Sequence, residues 1–456
     1  MRIGTQQEAE ALIYRSYLRA QPHVRASHDR DVRRPELTRE LLASVGSPNR
    51  GGRFALVTGS KGKGSTARML SSLLSHMGYK VGLFTSPHYV HFNERIRIDG
   101  RAISESDMIR YANAVADGFE RIERRLAPDE YQGPVGIALA IAALYFRERE
   151  TDFNVIECGR GGLYDDTNVL DNEWAVVTPI MEEHVKQLGP TLEDIALQKL
   201  GIVKDATKRV YLGKQRAEMG AFARERLARW LEERPGRAAF HYGDDYVTTR
   251  VEASIDGVTF DARTPHGEYR DIALPMLGEF QAFNASLAIV ACEDIAGRAL
   301  ERDVVERCFS RLRWPGRCEI AGRDPLVLLD GAIHRDSAAY VADVVRRLNP
   351  DGARRVAVIV GVPRDKDYEG VIAELGRVAN DLVVTKPDIS HLAFPDDALS
   401  VARRYVEASV ETPYLKDALR YVRETVRPDI VLVVGTQIFI GNAKRELGQS
   451  LLDIGK

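Results

Sequence analysis

Cysteine is scarce: Cys158, Cys292, Cys308 and Cys318 are the only four in 456 residues, and no two form a CxxC pair. Such spacing argues against a disulfide framework or a zinc knuckle and for free thiols in a reducing compartment. An excess of one charge is also missing. With 64 basic and 66 acidic residues the net charge is -2, which gives the whole chain no pull towards nucleic acid or an anionic membrane. No apolar run approaches the roughly 20 residues that a membrane helix needs. The polar opening MRIGTQQEAEALIYRSYLRAQ lacks a signal peptide's apolar centre. A cytoplasmic location is therefore expected. No repeat at a solenoid period and no low-complexity tract occurs.

What is present is alternation. At 456 residues the chain is too long for one core, so two or three domains are expected. FALVT (54–58), VGLFT (81–85), NVIEC (154–158) and AVVTPI (175–180) read as buried strands. Between the first two, Leu70, Leu73, Leu74 and Met77 form the stripe of an amphipathic helix. Strands and helices in turn predict an α/β fold with a mostly parallel sheet. A mixed stretch near 205–270 carries a helix-like run, EMGAFARERLARWLEER. It then carries YVTTRVEASIDGVTF, whose alternation predicts a small antiparallel part. From VLLD (327–330) through VAVIVG, DLVVTK and IVLVVG a second series predicts a smaller, Rossmann-like C-terminal α/β domain. The turn-rich WPGRCEIAGRD places the boundary so that residues 1–318 and 319–456 form the two parts. After its first helix the N-terminal stretch of 50 residues is Arg-rich and patternless.

Gly59-Ser60-Lys61-Gly62-Lys63-Gly64-Ser65-Thr66 joins the first strand to the helix expected over 66–77. Glycines there let backbone N–H groups close on phosphate oxygens, and the helix start adds its positive dipole end. Lys63 can reach the β/γ-phosphates, and the Ser65 or Thr66 hydroxyl can ligate Mg²⁺. This is a P-loop, shortened before Gly62 and lengthened by Gly64. Glu157 ends an apolar strand, where a carboxylate points into a ligand crevice; a metal ligand and a solvated strand end are both open. Lys199 lies on the apolar face of a helix expected over 191–203. A buried ammonium must be paired or neutralised, unless the chain snorkels to water.

GSKGKGST followed by YKVGLFTSPHYVHFNERIRIDGRAIS closely resembles the folylpolyglutamate synthase branch of the Mur ligases, with its GTNGKGS loop and TSPHL…FNERI segment. ECGRGGLYDDTN resembles the family's EVGLGGRLDATN, and EEHVKQLGPTLEDIALQKLGIVK its DHxxxLGxTLEEIAREKAGIIK. The resemblance implies a metal-ligand set of Ser65, Ser86, Glu157, His184 and a CO₂-carbamylated Lys199. GEFQAFN implies adenine contacts through Gln281 and Asn284. WPGR implies an interdomain hinge whose Arg317 meets ATP phosphate. LLDGAIHRDSA implies a ribose or phosphate contact for Asp330, with His334 one place beyond the family's histidine. Catalysis would rest on Lys63, Glu157, His184, Lys199 and Arg317, with ATP and two Mg²⁺ ions as cofactors.

The implied reaction is ADP-forming. A carboxylate attacks the γ-phosphate, and the acyl-phosphate then yields an amide with an amine, glutamate or another amino acid. Partners are small molecules, an acid and an amino acid; a monomer or weak oligomer is expected. Departures gather on the acid's side: Tyr131-Gln132-Gly133-Pro134-Val135 in place of a TxFE block, Arg34-Pro35-Glu36-Leu37-Thr38-Arg39 in place of Gly-Leu-Glu-Arg, and Leu163 in place of arginine. They point to a different, anionic acid, which Arg25, Arg30, Arg33 and Arg34 could meet; a solvated basic stretch is the more ordinary reading of the four. A true folylpolyglutamate or dihydrofolate synthase is the alternative; a nucleotide-binding regulator without ligase chemistry is the alternative of another class.

Overall fold

The runs marked as strands are buried on both faces. Every residue of Phe54–Thr58, Phe153–Glu157, Val356–Gly361 and Ile430–Gly435 is buried, as strands of helix-covered parallel sheets must be. The computed structural model describes residues 2–254, 256–388 and 392–456.

The large sheet has eight strands, in the order Arg101–Ala102, Ile96–Ile98, Val81–Phe84, Phe153–Glu157, Phe54–Thr58, Asn172–Val177, Arg209–Leu212 and Ala238–His241. Its first two strands pair antiparallel at one edge and the rest are parallel. The second sheet has six strands: Glu319–Arg323, Leu326–Asp330, Ile430–Gly435, Val356–Gly361, Asp381–Val384 and Ser409–Glu411. Only its edge strand Glu319–Arg323 runs antiparallel. The expected α/β architecture with a smaller second sheet is what the chain adopts.

Three local readings differ. The antiparallel part is a three-stranded sheet of Val247–Ser254, Gly257–Arg263 and Glu268–Leu274. Arg209–Leu212 and Ala238–His241, not read as strands within the mixed stretch, extend the parallel sheet, with helix Ala217–Glu232 between them. Strands of only four residues, each with a charged or polar end, are too short to show a sheet partner. The N-terminal stretch is not patternless: helices Asp29–Val32 and Pro35–Ser44 follow the first helix. Pro35 opens the latter, where its missing N–H is harmless, and Leu37, Leu41 and Leu42 bury one face. The loop helix starts at Lys63, not Thr66.

Two helices position the site. Lys63–His76 is buried through nearly all its length, and Phe280–Ala296, apolar on all sides, packs on it and under the antiparallel sheet. A residue of the first helix also ties the two sheets' lobes together. Arg68 is fully buried with no side-chain carboxylate partner among the described residues, and it donates to main-chain oxygens of Arg313, Ile454, Gly455 and Lys456. Burial pushes its guanidinium down to about 10. Among the described residues no helix is long and apolar enough to cross a membrane.

Candidate active site

The turn after Phe54–Thr58 needs its glycines. Gly59 has φ +134°, and a side chain there would run into Thr178. Gly62 has φ +85°, and a Cβ would lie 2.7 Å from Asn284 Oδ1. Ser60 fixes the turn from below: its hydroxyl donates to Met181 O (3.0 Å) and accepts from Met181 N (2.9 Å). No side chain caps the first turn of helix Lys63–His76. Its N–H groups therefore face the crevice, as an anion site requires. Lys63 Nζ donates to Gly59 O at 3.0 Å and makes no ion pair with any described carboxylate. Ser65 and Thr66 are buried just behind, and Thr66 Oγ1 has no hydrogen-bond partner.

Glu157 meets this turn from the neighbouring strand. It is 6% exposed, and its Oε2 accepts the Ser86 N–H at 3.0 Å. A Cβ on Gly64 would lie 3.3 Å from Glu157 Oε1 and 3.2 Å from the Trp314 ring. The extra glycine of the loop thus lets the carboxylate come close. Burial raises the Glu157 pKa, while Lys63, the Ser86 N–H and Arg317 pull it back.

Lys199 is completely buried and does not snorkel. Its Nζ donates to Gly59 O at 2.8 Å and to Glu183 Oε1 at 2.7 Å. Desolvation pushes the amine down to about 8, with Glu183 opposing and Lys63 adding to the shift. His184, next in sequence to Glu183, has φ +50°. Desolvation lowers its imidazole pKa, Glu183 raises it, and Arg160, Lys199 and Lys63 lower it further. Neutral imidazole is the metal-binding form.

The second sheet supplies the facing wall. Asp330, at the end of Leu326–Asp330, accepts the Cys318 N–H at 2.8 Å. Arg317 lies within electrostatic reach of Tyr89, Asp330 and Glu157. His334 precedes helix Arg335–Leu348 and lies towards Lys61, Lys366, Asp367 and Glu183. Asn284 lines a cleft of about 380 Å³ beside the loop, with Lys214, Phe280, Phe283, Tyr340 and Arg347. Gln281 is different: it is fully buried, does not line the cleft, and reaches it only by accepting from Asn284 Nδ2 at 3.1 Å.

Lys63, Glu157, His184, Lys199, Arg317, Asp330 and His334 therefore gather around one turn, although their codons span most of the chain. A self-sufficient metal site is not part of it: among the described residues no three His, Cys, Asp or Glu side chains converge. The donors fit a magnesium that also takes phosphate oxygens. Among the described residues Glu157 Oε1 accepts no hydrogen bond, and the hydroxyl of Thr66 in the loop helix is buried and unpartnered.

On the acid's side the N-terminal arginines are less free than the sequence implies. Arg160 donates to both Asp29 oxygens, and Arg33 lies 3.4 Å from Asp29 and 3.5 Å from Asp165. Asp166 fills the space left by Gly133 and Gly136 and accepts from Thr38 Oγ1 at 2.9 Å. Burial pushes its carboxyl up to about 6 from 3.8, despite Arg33. The folded state thus holds a proton that the unfolded state releases between these values. This group's contribution is most favourable in acid and is lost as pH rises through about 6, by up to about 3 kcal/mol. Asp166→Asn, neutral throughout, should be more stable than the parent at about pH 8, and the gap should close towards about pH 5. Urea unfolding at the two pH values measures it; an equal gap at both would refute the buried charge.

Residues 57–292 match the family of the Mur ligase middle domain, and residues 316–437 match the Mur ligase glutamate ligase domain. The dihydrofolate synthase/folylpolyglutamate synthase of Bacillus subtilis is 30% identical over 90% of this chain and 94% of its own length. The chain belongs to the Mur ligases, in their folylpolyglutamate synthase branch. A probable bifunctional folylpolyglutamate synthase/dihydropteroate synthase of Haloferax volcanii is 32% identical over 90% of this chain, which spans 48% of that longer protein. The solved Mycobacterium tuberculosis folylpolyglutamate synthase complexed with ADP superposes with a TM-score of 0.83 at 25% identity, covering 97% of this chain and 99% of that one. As a Mur ligase the chain is an ATP-dependent, ADP-forming ligase of acids and amines. The sequence did not disclose Glu183 as the partner of Lys199. The signal was available, since a lysine on an apolar face demands an anion nearby.

Proposed function

We propose that this Mur ligase adds glutamate to a folate-type acid. What supports the reading is the convergence of Lys63, Glu157, Lys199 and Arg317 on an uncapped helix start. The substrate class comes from relatives named for dihydrofolate and folylpolyglutamate synthesis over nine-tenths of the chain. Of the four arginines expected to face a specially anionic acid, Arg33 is already matched by Asp29 and Asp165.

In this mechanism the loop N–H groups and Lys63 hold the triphosphate, and Arg317 closes on the γ-phosphate from the other lobe. Asn284 and Asp330 hold the nucleoside. The acid's carboxylate oxygen attacks the γ-phosphorus, the bond to the β-phosphate oxygen breaks, and ADP is displaced. The amine then attacks the acyl carbon, phosphate leaves and a proton is lost from nitrogen. Ser65, Ser86, Glu157, His184 and Lys199 would hold two Mg²⁺ ions, which supply charge neutralisation between carboxylate and phosphate. Lys199 would do so as a carbamate: its neutral amine adds to the carbon of CO₂ and gives up a proton. His334 would take a substrate contact near Lys61. The chain would divide at 318/319, act as a monomer and work in the cytoplasm.

A second reading, a different acid, is favoured by one observation. Asp166 stands where the motif EVGLGGRLDATN has alanine, and it occupies space on the acid's side. ADP release decides between these. It is expected to require ATP, Mg²⁺, glutamate and tetrahydrofolate or dihydropteroate together. Release with glutamate and other acids only would replace the substrate, and release with ATP alone would replace the ligase reading with a nucleotide switch.

A further inference from the structure

Tyr89 belongs to the lobe of the large sheet but leaves it. The residue follows the turn after Val81–Phe84 and packs its partly buried ring against a cluster of the other lobe that includes Leu329, Val433, Phe439 and Ile440. Its own lobe holds it rigidly. Glu94, buried, accepts the N–H groups of Tyr89 (3.0 Å), Val90 (2.9 Å) and His91 (2.7 Å). A turn whose successive amides all end on one carboxylate has little freedom to flex.

Two glycines of other segments receive it. Gly441 lies inside helix Gln437–Glu446, where glycine is otherwise unfavourable. A Cβ there would run into the Tyr89 carbonyl group. Gly316 lies in the connection between the lobes with φ +68°, and a Cβ there would lie 2.5 to 2.7 Å from the Tyr89 ring. The phenol reaches back towards Gly316 O at 3.5 Å. The residue after Gly316 is Arg317, which lies within electrostatic reach of Tyr89, Asp330 and Glu157. One rigid projection thus occupies a notch in the C-terminal helix and a notch in the interlobe connection at once.

We propose that Tyr89 is a positioning residue: it seats in the notches of Gly441 and Gly316, sets the closed relation of the two lobes, and so places Arg317 opposite Glu157. The turnover arm of this proposal rests on the ligase reading above; the geometric arm does not. Ring and backbone do the positioning, so phenylalanine serves where alanine fails.

The test uses the full chain with Tyr89→Phe, Tyr89→Ala and Gly441→Ala, assayed by ADP release with ATP, Mg²⁺, glutamate and tetrahydrofolate. Hydrogen exchange of residues 314–317 is followed in parallel. Tyr89→Ala and Gly441→Ala are expected to lower kcat by about tenfold or more while KM for glutamate moves little, because a misplaced group costs rate rather than binding. Exchange at 314–317 should rise in both. Tyr89→Phe should restore kcat to within about threefold. Gly441→Ala carries extra weight, since alanine favours the helix and a loss of activity there cannot be laid to helix melting. Tyr89→Ala and Gly441→Ala with parental exchange and kcat would overturn the proposal, as would a Tyr89→Phe protein no better than Tyr89→Ala. A parent that releases no ADP with these substrates counts against the ligase reading alone, and exchange in the variants then decides the positioning role.

Discussion

Lys63→Met should lower kcat for ADP release about 10³-fold while the protein stays folded. The argument turns on what Lys63 does without nucleotide and what it is needed for with it. In the structure its ammonium donates to the carbonyl of Gly59 at 3.0 Å, and more distantly to Ser60 at 3.5 Å. A hydrogen bond from a charged donor contributes about 1.5–3 kcal/mol net, short of the roughly 5–15 kcal/mol that holds a domain folded. Methionine keeps most of the stem's packing. In the transition state the same ammonium, at the first turn of the helix, is the loop cation set closest to the helix start. Lys199 is committed to Gly59 O and Glu183, and Arg317 stands across the crevice beside Asp330. A thousandfold effect corresponds to about 4 kcal/mol, a normal magnitude for one charged group on a transferring phosphoryl. Steady-state ADP release with a parallel thermal melt measures it. If Lys63→Met turned over within about tenfold of the parent, the turn around Gly59 would not be where the γ-phosphate is held.

That turn was legible in the sequence because everything it needs is local. Gly59, Gly62 and Lys63 fall within five residues, flanked by an apolar strand and an amphipathic helix. Glu157 was legible for a related reason, as a charge that ends a buried strand. Residues whose role depends on a distant partner were not. Arg33 read as an open cation because one of its two partners, Asp165, is 132 residues away, and the other, Asp29, meets it only through the short helix Asp29–Val32. Gly441 read as nothing at all, since only the approach of Tyr89 from the other lobe explains it. The short helices Asp29–Val32 and Pro35–Ser44 were missed because their stripes span too few turns to establish a period, and packing rather than propensity forms them. Gln281 shows the opposite failure. Its motif was recognised, yet its side chain is buried behind Asn284 instead of facing the cleft.

Lys199→Ala should do damage of two kinds that can be told apart. The first is structural. Lys199 is 0% exposed and its partner Glu183 14% exposed, so removing the amine strands a carboxylate with little water to replace the partner. Breaking a buried pair costs about 3–5 kcal/mol, and the partial exposure of Glu183 puts this case at the low end. The second is catalytic, a fall in kcat of about 10²–10³-fold. Two chemical states of the lysine predict opposite rescues. As a carbamate it presents carboxylate oxygens, so formate or acetate, small enough for the vacated space, should restore part of kcat. As an ammonium it presents N–H donors, so methylammonium should restore it and formate should not. The geometry gives the carbamate an opening that most lysines lack. Its amine is desolvated and pushed down to about 8, so an appreciable neutral fraction exists near physiological pH, and only the neutral amine adds to CO₂. The same carbamate would lie beside the Glu183 carboxylate, and two anions side by side need a divalent cation between or beside them. Formate rescue should therefore steepen with Mg²⁺ concentration, and rescue by methylammonium alone would leave Lys199 a cation that braces Gly59 and Glu183.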